Sequence, residues 1–211
     1  MSKRKFDCSV YLVTDGGASE DFCKVVEQAL AGGATLVQLR EKNIETRALF
    51  ELALRIKAIA AAHGAPLIIN DRLDIALAAD ADGLHVGRED LPVAVARRLL
   101  GPDKILGATA ATVQDAVAAQ RDGADYIGSG AVYPTSTKPG KPVLPLAVLA
   151  QIKQAVRIPV VAIGGITPDN AIPVFQSGVD GVAVVSAIMT SADPAAVVQR
   201  FINIRLEHGI K

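Results

Sequence analysis

Tryptophan is absent from this 211-residue chain, and aromatic residues together make up only 4% of it. A core with so few rings has to be filled by Ala, Val, Leu and Ile. With 50% of the residues hydrophobic, there is enough apolar material to bury a large one, which excludes a disordered chain. Net charge is lacking too: 22 basic residues face 22 acidic ones, with three histidines besides. A general nucleic-acid binder carries a basic excess, so the balance argues against nucleic acid as a partner. No block of five or six like charges suggests an interaction tail. Cysteine is scarce. Cys8 and Cys23 are too few for a disulfide framework and stand in no CxxC or Cys/His metal spacing, which leaves two small thiols inside the fold. Long hydrophobic runs are missing as well. No apolar segment of signal-peptide length follows the first residues, and none reaches the roughly 18 residues that span a bilayer. The expectation is a cytoplasmic protein with no membrane partner.

What the chain does have is alternation. Short apolar runs at 9–13, 34–39, 66–69, Gly83–Val86, 105–108, 125–128, 159–163 and Gly181–Val184 read as strands. Most are rich in Leu or β-branched residues and lack a polar face, which suits strands covered on both sides. Between them lie helical patterns such as 50–62, Val93–Leu100, 113–119 and 195–206. Gly64, Gly101, Gly123 and Gly178 stand where a helix would stop. Eight such units in 211 residues leave about 26 residues per unit, close to the compact limit of an α/β (β/α)8 TIM barrel. An open doubly wound sheet would call for G-x-G-x-x-G after the first strand, and Val13-Thr14-Asp15-Gly16-Gly17-Ala18 does not supply it. With no linker or low-complexity stretch, residues 1–211 are expected to form a single catalytic domain.

In such barrels the chemistry sits at the C-terminal ends of the strands. The second strand continues Leu36-Val37-Gln38-Leu39-Arg40-Glu41-Lys42. Alternation puts Gln38 and Arg40 on one side and Val37 and Leu39 on the other. If the apolar pair faces the helices, an amide, a guanidinium and the Lys42 ammonium converge on the barrel mouth, a set suited to a polyanion. A salt-bridged rim, with Glu41 absorbing a cation, is the rival reading. The third strand ends in Asn70-Asp71-Arg72, and the fourth in His85-Val86-Gly87-Arg88-Glu89-Asp90-Leu91-Pro92. Asp71 and Asp90 on neighbouring loops could share a Mg²⁺ with substrate phosphate oxygens, or each could cap the helix after it. His85 reads as a structural or rim histidine, since nothing beside it looks like a nucleophile. After the sixth strand, Tyr133-Pro134-Thr135-Ser136-Thr137-Lys138-Pro139-Gly140 offers hydroxyls and a lysine between prolines, either a solvated turn or a lid over an anion. Gly164-Gly165 after the seventh strand and Val185-Ser186 after the eighth suit a phosphate held on backbone N–H groups. No Ser/His/Asp or Cys/His nucleophilic set accompanies these groups. Cations and a metal without a nucleophile suit departure of a diphosphate and attack by a second substrate on the carbon left behind.

Six segments in this order resemble the thiamine phosphate synthase family: Gln38-Leu39-Arg40-Glu41-Lys42, Ile69-Asn70-Asp71-Arg72, His85 through Pro92, Pro134-Thr135-Ser136-Thr137-Lys138, Ala162-Ile163-Gly164-Gly165-Ile166 and Val185-Ser186-Ala187-Ile188. The resemblance runs from residue 11 to about 188. It implies an enzyme that joins a hydroxymethylpyrimidine diphosphate to a thiazole phosphate, with Mg²⁺ as cofactor. Gln38, Leu39, Arg40, Glu41, Lys42 and Asn70 would then line the pyrimidine diphosphate site, with Lys138 closing over it. Arg40, Lys42 and Lys138 would be catalytic, and Asp71 and Asp90 would bind the metal. Thr135, Ser136 and Thr137 would meet the thiazole phosphate, its phosphate resting on Gly165, Val185 and Ser186. One segment departs from the pattern: Gly107-Ala108-Thr109-Ala110-Ala111-Thr112 has Thr109 where the family usually has serine, and Ala111 where it usually has histidine. Thr109 keeps a hydroxyl for the pyrimidine diphosphate, and Ala111 offers no imidazole. The implied partners are small-molecule substrates, with a homo-oligomer open. A thiazole tautomerase-like isomerase or a non-catalytic thiazole phosphate-binding barrel remains the alternative.

Overall fold

Strands with no polar face need cover on both sides, and closing the sheet on itself inside a ring of helices supplies it. The computed structural model describes residues 5–16, 20–135, 137, 140 and 142–209. Within them the order is β1 (Val10–Val13), α1 (Glu20–Ala31), β2 (Leu36–Leu39), α2 (Thr46–Ala62), β3 (Leu67–Asn70), α3 (Leu73–Ala78), β4 (Gly83–Val86), α4 (Val93–Leu100) and β5 (Ile105–Thr109). It continues with α5 (Val113–Arg121), β6 (Tyr126–Gly130), α6 (Leu146–Ala155), β7 (Val160–Ile163), a 3-10 turn (Pro168–Asn170), α7 (Ala171–Gln176), β8 (Gly181–Val184), α8 (Ser186–Met189) and α9 (Pro194–Glu207). All neighbouring strands pair in parallel and β8 closes onto β1, so the fold is the expected (β/α)8 barrel. No helix among the described residues is long and apolar enough to cross a membrane.

The alternation in β2 sorts its side chains as the sequence suggests. Val37 and Leu39 join the layer between sheet and helices, with Leu52 and Ile56 of α2. Leu36 faces inward with Tyr11, Val13, Ile68, Ile105, Tyr126, Val161 and Ala183. Gly64, Gly101, Gly123 and Gly178 follow their helices with φ of 70, 84, 100 and 89°, as helix stops require. The boundaries differ by a few residues. β2 begins at Leu36 rather than at 34, because Ala34 and Thr35 link the turn at Gly32 and Gly33 to it. β6 runs on to Gly130, and α2 begins at Thr46, where its first turn is polar. Both cysteines are free thiols; Cys8 is buried, and that burial chiefly pushes its thiol up to about 12.

A fourfold device holds the N-terminal face. The residue before each even strand reaches back to a backbone N–H of the preceding odd strand. Thr35 accepts from Val10 at 3.3 Å, Asp82 from Leu67 at 2.9 Å, Asp125 from Leu106 at 2.8 Å and Asp180 from Val160 at 2.7 Å. Arg97 and Lys153 pair with Asp125 and Asp180 at 2.6 Å, compensating two of the carboxylates. These contacts lie at the end of the barrel where stability rather than catalysis resides.

Candidate active site

At the opposite end, β1 clamps β2. Thr14 is fully buried; its hydroxyl accepts from the Arg40 backbone N–H at 3.0 Å and donates to Glu41 Oε1 at 3.0 Å. Gln38 and Arg40 both turn inward from this corner and are buried, as the alternation requires. Asp15 takes Nη1 of Arg40 at 2.9 Å, while the Arg40 Nε is buried without a hydrogen-bond partner. A buried donor on a cation is costly unless an anion meets it, so this guanidinium is half-prepared for one. Glu41 accepts from Thr14, and the two cations are paired with Asp15 and Asp71, so the ion pairs of a salt-bridged rim are present at this corner. Leu39 differs from its neighbours: its side chain packs outward among the helices and leaves only its backbone near the mouth.

The end of β3 carries Asn70, half-buried, and then Asp71 in the left-handed region with φ of 59°. That conformation is uncommon for a residue with a side chain. A backbone bond from Asp71 N–H to the His85 carbonyl at 2.8 Å fixes it. The Asp71 carboxylate faces Lys42 in an ion pair, and the Asp90 carboxyl lies close enough to shift it. Burial works to raise the Asp71 carboxyl, but Lys42 and the neighbouring Asp90 outweigh it and hold it below its ordinary value. Asp90 moves the other way, raised by burial first and then by Asp71 beside it. Neither aspartate is a helix cap. The residues preceding α3 and α4 are Arg72 and Pro92, neither with a capping side chain, and Asp90 Oδ2 turns back to the Gly87 N–H at 2.8 Å. Two carboxylates brought together beside a lysine form a plausible seat for a hard cation. No group of three or more His, Cys, Asp or Glu able to hold a metal exists among the described residues. A two-carboxylate site fits Mg²⁺, which keeps several waters and takes substrate oxygens for the rest.

Thr109 ends β5, half-buried, and its hydroxyl lies 3.0 Å from His85 Nε2. His85 is therefore an interior residue rather than one on the rim. Its other nitrogen lies 3.0 Å from the Tyr126 hydroxyl, which lies 2.8 Å from that of Tyr11.

The loop after β6 is closed at its base, where the Leu144 N–H donates to the Ala131 carbonyl at 2.7 Å. Tyr133 anchors it to the next loop, its N–H on the Gly164 carbonyl and its hydroxyl on that of Asn170, both at 3.0 Å. Gly165, at φ of 66°, must be a glycine: a Cβ there would come within 2.5 Å of the Pro134 carbonyl. Thr135 is half-buried and accepts from the Thr137 N–H at 3.3 Å. Ser136 and Lys138 lie outside the described residues. Thr167 and Asn170 form a reciprocal cap at the 3-10 turn, and Val185 and Ser186 open the short helix α8 after β8. Short helices and glycines after the last two strands form the phosphate-binding end of many such barrels.

The structure thus brings Lys42, Asp71 and Asp90 into one cluster, next to Arg40 and Gln38. Thr109 reaches the same mouth from the far side, and Thr135, Gly165 and Ser186 flank the loops after β6, β7 and β8. Four residues went unread in the sequence. Thr14 and Asp15 stand right after β1, where a polar pair at a strand end is itself the signal. Tyr11 and Tyr126 lie within the apolar runs 9–13 and 125–128, which give no sign of a polar role.

A family model described as thiamine monophosphate synthase matches residues 10–188. The thiamine-phosphate synthase of Methanobrevibacter smithii is 52% identical over 89% of this chain and 90% of its own. That of Clostridium tetani is 48% identical over 92% and 93%. A solved thiamine phosphate pyrophosphorylase from Pyrococcus furiosus superimposes with a TM-score of 0.85 at 40% identity, covering 94% of this chain and 96% of that one. The chain belongs to the thiamine monophosphate synthase family.

Proposed function

We propose that residues 1–211 act as one catalytic domain, with its site at the C-terminal mouth of the barrel. There a hydroxymethylpyrimidine diphosphate and a thiazole phosphate are joined into thiamine phosphate. The observation that carries the site assignment is the Asp71–Asp90 pair facing Lys42 beside the unpartnered Arg40 Nε. Arg40 and Lys42 bind the diphosphate and take up the charge that develops on it as it leaves. Lys138 joins them by its place in the family motif. Asp71 and Asp90 would hold Mg²⁺, which supplies further charge neutralisation to a departing diphosphate.

The bond between the pyrimidine methylene carbon and the diphosphate oxygen breaks, and its electron pair leaves with the diphosphate. The thiazole nitrogen then gives its lone pair to the electron-poor carbon and closes the new C–N bond. Atoms and electrons balance without a proton transfer or a redox partner. Gln38, Asn70 and Thr109 orient the pyrimidine. Thr135, Ser136 and Thr137 receive the thiazole phosphate, whose phosphate rests on Gly165, Val185 and Ser186. Holding both substrates aligned is the larger part of the contribution of the protein. The partners are these small molecules, the setting is cytoplasmic, and association of identical chains is compatible with the site lying inside one barrel.

Variants Asp71→Ala and Asp90→Ala test the site. Each is expected to lose at least about 100-fold in turnover at saturating Mg²⁺ with an unchanged far-UV circular dichroism spectrum. If both turn over normally at low Mg²⁺, the aspartates have no part in the metal site.

A further inference from the structure

A continuous row of side-chain hydrogen bonds crosses the inside of the barrel. Gln38 Nε2 donates to the Tyr11 hydroxyl at 2.7 Å, and the hydroxyls of Tyr11 and Tyr126 lie 2.8 Å apart. The Tyr126 hydroxyl meets His85 Nδ1 at 3.0 Å, and His85 Nε2 meets the Thr109 hydroxyl at 3.0 Å. The row joins β2, β1, β6, β4 and β5, and links residues 115 apart in sequence at its centre. Its middle is sealed: Tyr11 and Tyr126 are fully buried, and the Phe6 ring packs edge-on against Tyr126 at 5.8 Å. The backbone is kept bare to let it close. At Gly107 a Cβ would fall 2.1 Å from the Tyr126 ring and 2.5 Å from His85 Nδ1. At Gly128 it would press on His85 at 3.1 Å. Only the two ends of the row, Gln38 and Thr109, stand at the mouth.

Each hydroxyl in the row has one hydrogen to give, so the bonds cannot be oriented independently. Burial raises both phenols above their ordinary range, so each keeps its hydrogen. Since Gln38 donates to Tyr11, the Tyr11 hydrogen goes to Tyr126, the Tyr126 hydrogen to His85 Nδ1, and the hydrogen on His85 Nε2 to Thr109. Reversing any single bond strands a buried hydrogen without an acceptor, which is costly. With the Gln38 amide nitrogen on Tyr11 the row runs one way; the whole row reversed would turn that amide over and put the His85 hydrogen on Nδ1. This direction places a hydrogen on His85 Nε2, leaves the Gln38 carbonyl oxygen for the mouth, and leaves Thr109 its hydroxyl hydrogen.

We propose that Tyr11, Tyr126 and His85 are positioning residues that lock Gln38 as an acceptor and Thr109 as a donor toward the pyrimidine substrate. This rests on the reading of the mouth as the pyrimidine diphosphate site. The three residues touch no substrate; they determine which hydrogen-bonding group each end residue shows.

The test uses Tyr126→Phe, which removes one hydroxyl and keeps the ring, and Tyr11→Phe as a second variant should the first unfold. Long-range ¹H–¹⁵N spectra of histidine-labelled protein read the ring nitrogens directly, without any substrate. In the wild type His85 is expected to carry its hydrogen on Nε2 with Nδ1 bare, and in Tyr126→Phe that preference is expected to relax. In steady-state kinetics KM for the pyrimidine diphosphate is expected to rise about 3- to 10-fold, the size of one neutral hydrogen bond, and KM for the thiazole phosphate to stay within about twofold. A hydrogen on Nδ1 in the wild type, or an unchanged His85 pattern in the variant, overturns the proposal. So does an equal rise in both KM values, which is what loosened packing alone would give. A wild type without turnover sinks the synthase reading instead, and the spectra still decide the row.

Discussion

Arg40 is gripped by Asp15 at one nitrogen and buried without a protein partner at another. A hydrogen bond between a charged donor and an anion contributes about 1.5–3 kcal/mol. Arg40→Ala is accordingly expected to raise KM for the pyrimidine diphosphate by about 10- to 150-fold and to leave thiazole phosphate affinity nearly unchanged, as titration calorimetry would read. Equal weakening of both would mean that the two pockets have been exchanged. At this scale the sequence was most legible where chemistry and periodicity coincide. Gln38 and Arg40 follow from alternation along one strand, and Asp71 and Asp90 from their matching places after two strands. His85 was legible as a structural histidine, but Tyr11 and Tyr126 went unread for a physical reason. Whether a tyrosine is core filling or part of a polar row depends on what faces it across the barrel, and those partners are distant in sequence.

Among elements, the strands and most helix limits could be read from apolar runs and stopping glycines, because burial on both faces leaves little ambiguity. The errors lay at polar ends, such as the first turn of α2 from Thr46 and the last residues of β6. The fourfold clamp of the N-terminal face went unseen, although a small apolar residue followed by Thr35, Asp82, Asp125 or Asp180 precedes each even strand. Its value can be measured. Asp180 accepts from the Val160 N–H at 2.7 Å and pairs with Lys153 at 2.6 Å. Asp180→Ala leaves that N–H unsatisfied at a half-buried site, costing about 1–2 kcal/mol, or about 2–8 °C in Tm for a chain of this length. Asp180→Asn, which keeps an acceptor, should lose less. Turnover per folded molecule should be unchanged in both, since the clamp sits at the end of the barrel away from the mouth. A scan with no shift for Asp180→Ala would show that water replaces the carboxylate without cost.

For the whole molecule, the balance of 22 basic and 22 acidic residues conceals a division of labour. At one end of the barrel Asp125 and Asp180 are matched by Arg97 and Lys153 and serve the fold. At the other, Arg40 pairs with Asp15 and Lys42 with Asp71 beside Asp90, the groups proposed above for the diphosphate and its metal. The most direct measurement is a single incubation of the wild-type protein with the pyrimidine diphosphate, the thiazole phosphate and Mg²⁺, followed by chromatography of the products. Thiamine phosphate and diphosphate should form in equal amounts, and omission of either substrate or chelation of the metal should stop both. Absence of thiamine phosphate from a folded protein that still binds the thiazole phosphate would contradict the account.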